Sequence, residues 1–423
     1  MRTGRACRQR DHKHIMAEIP LITPQALEAD AALATTLASE DQAGELVRSA
    51  GINAAGNVAS RALGLVREIV IGRQFGTTWE LDAYLAAFRV PDVIFQLMAG
   101  GALGSAFIPV FTSFLARKDH CGAWRLASGV ANLAGLLLTI CAVLAAIFSP
   151  TLIGRVVAPG FSPEGKALAA RLMRLMLVTP VIFGLSGIVM AILHSHQHFL
   201  LPALAPSLYN LSIILGALLL APKMGIFGLA LGVVAGAAAH LAIQLPGLVR
   251  RGARYYPTLG LKFEGVREVV RLMLPRAFGL GVVQLNFLVN TILASRLVPG
   301  SLAALNYAWL LLMLPQGIFA LALATAAFPT LSELVARDQR RRMVQVTSET
   351  LRLVFYLAVP ASIAMFILRQ PLIELLFQRG RFTAASTQAT AWALQFYAPG
   401  LFAHAGVEIL SRAFYALHDT KTP

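Results

Sequence analysis

The chain has 423 residues, of which 57% are hydrophobic and only 13% are charged, and its formal net charge is +15. This composition excludes an ordinary soluble globular protein and indicates a polytopic membrane protein. The positive charge does not indicate nucleic-acid binding, because no basic stripe is interleaved with aromatic side chains for base stacking.

The N-terminal segment, residues 1–45, is polar and alanine-rich, and it lacks the continuous apolar core of a signal peptide. We expect a cytoplasmic extension there, with Met16 as a second candidate start. Membrane-surface attachment through its basic end is the alternative.

Long apolar segments occupy the rest of the chain, and most approach the roughly 20 residues that cross the hydrocarbon layer as a helix. They predict an all-α fold with ten spanning helices, at residues 46–75, 82–114, 124–156, 168–195, 202–221, 225–249, 267–298, 302–333, 350–369 and 386–417.

Basic residues cluster in alternate loops, at 117–125, 250–271 and 337–342, whereas the turns at 76–81 and 299–301 contain no Lys or Arg. Because loop Lys and Arg mark the cytoplasmic side, this pattern predicts a cytoplasmic N-terminus.

The chain also repeats itself. The intervals 82–91 and 306–315 have the same length and end in proline, and residues 179–187 echo residues 398–406. A six-helix unit repeated in one orientation predicts two lobes around a central axis. We expect an N-lobe at 46–250 and a partial C-lobe at 262–423. The second repeat lacks its last two helices, so we expect the sequence to be incomplete at its C-terminus.

Charged residues in the first two predicted helices are the main candidates for function. An isolated charge inside a membrane costs from about 3 to over 10 kcal/mol, so Arg61 and Arg67 need a reason to be there. Either they reach the headgroups at a helix end, or they line a polar cavity, where a guanidinium suits phosphate. Arg73, beside the turn at Gly76, fits a helix end.

Other polar residues have more ordinary explanations. His194, His196 and His198 alternate between two spans and fit a solvated turn better than a metal site. His240 and His404 fit hydrogen-bonded positions in the bundle. Glu374 and Glu408 are candidate proton or ion sites, and Glu408 is the stronger of the two.

The three cysteines have neither CxxC spacing nor an even count, so they support neither a disulfide framework nor a zinc site. Nucleophile elbows, phosphate-binding glycine loops and zinc signatures do not occur in the sequence. We therefore predict no enzyme, no catalytic residue and no metal ligand.

The order of motifs resembles the MurJ (MviN) family of lipid II flippases, in the multidrug/oligosaccharidyl-lipid/polysaccharide exporter superfamily. The resemblance covers the chain from about Val47. The matching segments are SRxLGLVRE at 60–68, FG at 75–76, DAYxxAFRVP at 82–91, GALGSAFIPVF at 101–111, APGF at 158–161, LPALAPSLYNLS at 201–212, QLP at 244–246 and LFQRGRFT at 376–383.

The resemblance implies a two-lobed fold of fourteen helices, ten of which are present here, in the bacterial cytoplasmic membrane. It implies alternating access, in which an undecaprenyl-pyrophosphate-linked disaccharide-peptide enters a cationic cavity from the cytoplasm and leaves on the outer face. The family's headgroup positions correspond to Arg61, Arg67 and Asp82. Glu68, Arg276 and Glu408 are secondary candidates.

Three positions depart from the family pattern. Phe95 and Leu310 stand where family members usually have arginine, and Gly100 stands where they have an acidic residue. Losing a charge-assisted bond to phosphate costs roughly 1.5–3 kcal/mol. These departures leave two alternatives to lipid II flipping: a non-transporting scaffold in cell-wall synthesis, or an exporter of another lipid-linked glycan or of a drug.

The expected partners are lipid II or a related polyprenyl-pyrophosphate glycan, membrane lipids and cell-wall synthesis proteins, and not nucleic acid. We expect no cofactor, with the membrane potential or a coupling cation as a candidate driving force.

Overall fold

The computed structural model describes residues 51–52, 54–98, 102–419 and 422. Regular structure in these residues is helical throughout, which confirms the all-α prediction. In chain order the helices are α1 (54–75), α2 (Trp79–Met98), α3 (Ala102–Ala116), α4 (His120–Ile147), α5 (Ser149–Thr151), α6 (Pro163–Met176), α7 (Val178–Ser195), α8 (Leu200–Leu215), α9 (Ala221–Met224), α10 (Ile226–Ala242), α11 (Leu245–Val249), α12 (Glu264–Ala294), α13 (Ser301–Pro315), α14 (Leu321–Ala336), α15 (Arg340–Ile367), α16 (Arg369–Phe377), α17 (Ala384–Tyr397) and α18 (Leu401–Ala416). The N-terminal extension at 1–45 lies outside the described residues.

Most helices lie near the predicted apolar segments, but the predicted span 82–114 is divided into α2 and α3, and α15 begins at Arg340, well before the predicted start at residue 350. By length and apolarity alone, six helical segments in the described chain can cross a membrane, or seven if a bent pair within α12 counts as one span. Helices α1 and α2 are not among them because each carries four charged residues. The chain is therefore a multi-pass membrane protein, while the count of ten spans stays a prediction.

Several helix ends are explained by local sequence. The Asp119 side chain accepts a hydrogen bond from the backbone N–H of Gly122, and so caps α4 at 2.8 Å. Ser162 caps α6 in the same way through Gly165 N–H, at 3.2 Å, and Pro163 occupies the first helical position. Both use a side-chain oxygen to satisfy an N–H that has no partner within the helix.

Prolines and π-helical segments interrupt the long helices. Three π-helical segments occur in the described chain, at Leu152–Val157, Gly216–Leu220 and Gln316–Ala320. The third follows Pro315 directly and joins α13 to α14. Proline lacks the N–H that continues a helix ladder, and π segments are frequent at functional sites.

The order of elements repeats along the chain, so that α13 to α18 follow the pattern of α2 to α7. Helices α4 and α15 are both 28 residues long. The turn before each contains a residue with positive φ, Lys118 at 58° and Asp338 at 54°. This correspondence supports the predicted duplication, whose lobe boundaries stay a prediction.

The core between the two repeats is built from small and aromatic side chains. Tyr307 of α13 packs against Phe377 and Phe382, with ring centroids 5.1 and 5.3 Å apart. Gly72 of α1 faces this cluster, because a Cβ there would lie 3.4 Å from Phe382 and from the Tyr307 hydroxyl. The end of α1 therefore packs directly on the second half of the chain.

Helix α12 connects the two repeats and is bent near Pro275. Although the predicted C-lobe begins before it, α12 packs mainly along α2 and α3 and only lightly against α13. Its C-terminal part therefore faces the charged helix α2.

Candidate functional site

The two halves of the chain are joined by hydrogen bonds at one end, which we call the closed end (residues 73–82, 300–303 and 380–386). Asp82 of α2 is only 3% exposed and accepts two backbone hydrogen bonds from the start of α13. Gly300 N–H donates to one carboxylate oxygen at 2.6 Å, and Ala303 N–H donates to the other at 2.8 Å. Because Gly300 is the N-cap residue and has no side chain to cap with, Asp82 supplies both acceptors of a capping box from another helix.

The backbone at the closed end permits this close approach because glycine stands at the contacts. Gly300 has φ +92°, and a Cβ on it would overlap the carbonyl oxygen of Thr77. Gly76 has φ +61°, and a Cβ on it would overlap the carbonyl oxygen of Arg381. A side chain at either position would both strain the backbone and push the halves apart.

Two further hydrogen bonds cross the closed end. Arg381 N–H donates to the backbone oxygen of Arg73 at 2.9 Å, and the Thr77 hydroxyl donates to Ser386 Oγ at 2.8 Å. Among the described residues, every recorded hydrogen bond between residues 54–250 and residues 300–419 involves Arg73, Thr77 or Asp82. The hydrogen bonds recorded between these two described ranges thus lie at one end, while α12, which belongs to neither range, is bonded to the first range through Arg89–Thr291 and Gly160–Ser295.

A cavity of about 610 Å³ is lined mainly by helices of the first half, and Asn306 and Tyr307 of α13 complete the lining. Its wall contains four charged side chains, six tyrosine or phenylalanine rings and one histidine. The lining residues are Arg67, Glu68, Ile71, Leu81, Tyr84, Leu85, Phe88, Arg89, Pro91, Asp92, Phe95, Gly104, Thr179, Phe183, Gly187, Met190, Pro206, Tyr209, Ile213, His240, Asn306 and Tyr307.

Arg67 lies in the cavity wall and is held by two partners. Its Nε and one terminal nitrogen donate to Glu68 Oε1 at 3.1 and 2.6 Å, and the other terminal nitrogen donates to Asn210 Oδ1 at 2.9 Å. Asn210 in turn donates to the backbone oxygen of Ser60 at 3.1 Å, so it ties α8 to α1. The guanidinium is oriented in advance, and Glu68 offsets its charge.

Arg89 and Asp92 form a second charged pair of lining residues, one turn apart on α2. Arg89 Nε donates to Thr291 Oγ1 of α12 at 2.9 Å, and its guanidinium lies 5.3 Å from the centroid of the Phe287 ring. The described lining therefore contains two arginines and two carboxylates, and their formal charges balance. The resemblance had implied a cationic cavity.

Aromatic rings form much of the remaining wall. Phe95 packs on Phe183 at 5.5 Å, and Phe183 packs edge-to-face on Tyr209 at 5.1 Å and on His240 at 5.2 Å. Phe95 thus places a ring in the cavity where the resemblance leads one to expect an arginine.

His240 is hydrogen-bonded, as predicted, and also lines the cavity. Ser186 Oγ lies 2.7 Å from His240 Nδ1, and Gln244 Nε2 donates to Ser186 Oγ and to the His240 backbone oxygen, at 2.8 Å each. The described residues contain no group of three or more His, Cys, Asp or Glu side chains able to hold a metal ion.

The predicted site residues are brought together only in part. Arg67 and Glu68 line the cavity, whereas Asp82 lies in the closed end and Arg61 packs over the π-helical segment, 2.9 Å from where a Cβ on Gly317 would be. Glu408 pairs with Arg412 on α18 at 3.1 Å, away from the cavity wall. Headgroup contacts of these residues stay predictions.

Two other sequence expectations fall on residues that are not fully described. The Arg276 side chain and all of Gly100 lie outside the described residues. Leu310 is half-buried and, unlike its neighbour Asn306, is not among the lining residues.

The sequence reasoning missed Arg89, Asp92 and Asn210 as wall residues or supports. Arg89 and Asp92 lie within and beside the DAYxxAFRVP motif, and Asn210 lies within LPALAPSLYNLS. The sequence did carry a signal for the two charged residues, since a charge in an apolar helix needs a partner. Whether such a residue faces the cavity depends on how the helices pack.

Comparison with known proteins identifies the family. The family model described as "Lipid II flippase MurJ" matches residues 71–423. The chain is 33% identical to the lipid II flippase MurJ of Burkholderia cenocepacia, over 86% of this chain and 72% of that protein. It is 31% identical to the probable lipid II flippase MurJ of Vibrio cholerae, over 89% of this chain and 74% of that protein.

The fold agrees. A solved structure described as lipid II flippase MurJ in an inward closed conformation matches with a TM-score of 0.76 and 28% identity, over 88% of this chain and 77% of that one. An inward-facing multidrug resistance transporter of the MATE family matches with a TM-score of 0.69 at 16% identity, over 85% of this chain and 81% of that one, and shares the fold alone. With its motifs, its two-lobed helical architecture and these matches, the chain belongs to the lipid II flippase MurJ family.

Proposed function

We propose that this protein moves lipid II, the polyprenyl-pyrophosphate-linked precursor of peptidoglycan, across the bacterial cytoplasmic membrane by alternating access. One observation carries the proposal: an arginine-containing cavity of the first half is bordered by α13 of the second, and the hydrogen bonds recorded between the described residues 54–250 and 300–419 lie at one end. The relatives named as lipid II flippases support the choice of substrate.

The orientation follows from the loop charges. At the closed end the turns at 76–78 and 299–300 contain no Lys or Arg, and two single arginines, Arg73 and Arg381, lie beside them, whereas the loops of the opposite end carry clusters of basic residues. By the positive-inside rule the closed end faces outward, and the N-terminus and the loop at 250–263 face the cytoplasm. In this arrangement the cavity accepts its substrate from the cytoplasmic side.

The transport step requires the closed end to separate. When the substrate headgroup occupies the cavity, Arg67 is in position to bind a phosphate oxygen, in competition with Glu68. Opening the outer end means breaking the bonds of Asp82 to Gly300 and Ala303, together with the bonds of Thr77 and Arg73. A closed end held by a few polar contacts fits a two-state switch, because each contact contributes only about 1–3 kcal/mol.

The driving force and the protein partners belong to the same proposal. The membrane potential or a coupling cation would drive the cycle, since each charge moved across 100 mV corresponds to about 2.3 kcal/mol. Cell-wall synthesis proteins that use lipid II on the outer face are the expected neighbours.

The proposal is tested by replacing Arg67. Arg67→Gln, expressed at normal levels in a strain depleted of its own flippase, should fail to support growth and should leave lipid II unexposed on the outer face. Arg61→Gln, made in parallel, tests the predicted headgroup role of Arg61. Arg341→Gln, an exposed arginine at the start of α15, is the matched control and should support growth.

Lipid II exposure that is normal with Arg67→Gln would contradict the role proposed for Arg67, and a wild-type protein that restored neither growth nor lipid II exposure would contradict the transport proposal. If wild-type protein supported growth but exposed no lipid II, the non-transporting scaffold would be favoured. Export of a small cationic compound instead of lipid would favour a drug exporter of the same superfamily.

A further inference from the structure

Arg89 is the cavity arginine whose hydrogen-bonding capacity is least used. Its Nε donates to Thr291 Oγ1 at 2.9 Å, and the face of its guanidinium lies over the Phe287 ring at 5.3 Å. Both partners belong to α12, so the side chain is fixed from one side, and Arg89 is one of the residues that line the cavity.

The two terminal nitrogens of Arg89 carry four of its five N–H donors. Within the described part of the chain, no hydrogen bond is recorded for either nitrogen, and no carboxylate lies within 4.0 Å of them. Asp92, one turn further along α2, attracts Arg89 electrostatically but forms no recorded ion pair with it.

Arg67 provides the contrast, because all three of its nitrogens donate to Glu68 or Asn210. Arg67 therefore keeps two unused N–H donors beside a bound carboxylate, whereas Arg89 keeps four and has no bound carboxylate. A guanidinium held in an apolar wall with unused donors is costly unless an anion or water satisfies them.

We propose that Arg89 is a phosphate-binding residue of the cavity, which holds an oxyanion of the substrate's phosphate groups through its two terminal nitrogens. This inference rests on the proposed function and adds a contact to it. Thr291 and Phe287 are positioning residues, since they fix the plane of the guanidinium and turn its free edge toward the cavity.

Phosphate is the chemistry that fits this edge. Two parallel N–H groups on a planar fork match two oxygens of a phosphate, and such bidentate bonds are stronger than those of neutral donors. The ring under the guanidinium leaves its edge donors free, because a cation–π contact uses the face of the group. A neutral sugar or a lipid tail has no pair of anionic oxygens to accept hydrogen bonds from the two terminal nitrogens of Arg89.

The competing explanation is that Arg89 has only a structural role: it connects α2 to α12, and Asp92 balances its charge. Under that explanation, Arg89→Gln would harm the protein by leaving Asp92 without its cation. The double substitution Arg89→Gln with Asp92→Asn removes both charges together, keeps the charge balance of the cavity and so separates the two explanations.

The experiment measures equilibrium binding to the purified full chain in detergent by native mass spectrometry. The probes are undecaprenyl pyrophosphate and undecaprenol, which differ in the phosphate groups. We expect Arg89→Gln and the double variant each to weaken binding of undecaprenyl pyrophosphate about ten-fold or more, as loss of a charge-assisted contact implies, with undecaprenol binding unchanged. Arg89→Lys, which keeps the charge without the fork, should fall in between.

Arg171→Gln is the matched control, because Arg171 also lies over a ring, that of Phe227 at 5.8 Å, but outside the cavity wall. It should bind both probes as the wild type does. Melting temperatures of all variants establish that they are folded, and Arg89→Lys keeps the test valid if Arg89→Gln does not fold.

Four results would overturn the inference. Restoration of pyrophosphate binding in the double variant would show that only charge balance matters. Equal weakening for both probes would show a structural role. If Arg67→Gln lost binding of undecaprenyl pyrophosphate while Arg89→Gln kept it, Arg89 would have no role in binding and the proposed function would stand. A wild-type chain that bound neither probe would contradict both the role of Arg89 and the proposed function.

Discussion

The corresponding helices of the two repeats, α2 and α13, differ in charge. α2 carries Glu80, Asp82, Arg89 and Asp92, whereas α13 contains no charged residue. All four charged residues in the described cavity wall come from α1 and α2, and α13 adds Asn306 and Tyr307. The two repeats therefore share the order of their helices, but the charges of the described cavity wall are concentrated in the first.

The same difference explains how the halves are joined. Helix α13 begins at a glycine cap with no polar side chain, and it uses an acidic residue of α2 as its cap. An anion near a helix N-terminus is also favoured by the helix dipole. One half thus supplies a carboxylate, and the other supplies only backbone N–H groups to receive it.

The largest expected effect comes from removing this carboxylate. Asp82→Ala should leave the N–H groups of Gly300 and Ala303 buried without an acceptor, at a cost of about 2–4 kcal/mol. We expect a clearly lower melting temperature in detergent and easier separation of the closed end, measured by the reaction of a cysteine placed at Thr77.

Asp82→Asn is the graded control, because its side chain keeps one acceptor oxygen and its shape. It should lie between wild type and Asp82→Ala in both measurements. If Asp82→Ala melted at the wild-type temperature, the contact between the halves would not depend on charges in α2.

A smaller effect is expected from loosening the support of Arg67. Asn210→Ala removes the acceptor at 2.9 Å from one terminal nitrogen of Arg67, and also the bond from Asn210 to Ser60. Because Arg67 keeps its bonds to Glu68, we expect lipid II exposure to fall about three- to ten-fold without being abolished.

The matched control is Asn132→Ala, since Asn132 also bonds across the chain, to Tyr256 O at 3.2 Å and Thr258 O at 2.8 Å, but lies away from the cavity. It should leave lipid II exposure unchanged. Equal loss in both variants would mean that general destabilisation, and not the orientation of Arg67, sets the rate.

The smallest effect concerns the turn between α7 and α8, at the end opposite to the closed end. Burial, with Arg251 second, lowers the pKa of His196 and of His198 below the ordinary value of 6.5. The folded state then binds fewer protons than the unfolded state, so this contribution to stability is complete above pH 6.5 and is lost as the pH falls below it.

We therefore expect the melting temperature to fall between pH 7 and pH 5, and to fall less in the variant His196→Gln, His198→Gln. The two proteins should differ least at pH 7.5. A parallel decline in both proteins would place the pH sensitivity elsewhere. The sequence had indicated a solvated turn, but these side chains are half-buried, and His196 packs against Phe111 at 6.0 Å.

Much of the fold could be predicted from sequence, because its signals are long. Apolar segments gave the helix positions, and the repeated proline intervals gave the duplication that α4 and α15 display at equal length. The candidate site was predicted less completely. Arg67 and Glu68 were both candidates and both line the cavity, whereas the sequence did not indicate that the Arg67 side chain pairs with Glu68 there.

The sequence by itself determined the membrane class, the helical architecture, the family and the presence of costly charges in the first two helices. These depend on composition and local order, which a chain carries whatever its tertiary packing. Only the tertiary structure decided that Asp82 caps α13 across the closed end, that Arg67 is already paired and that Arg89 keeps free donors at the cavity. The reason is that a charge in a helix identifies the need for a partner, while the partner is chosen by helices distant in sequence that pack beside it.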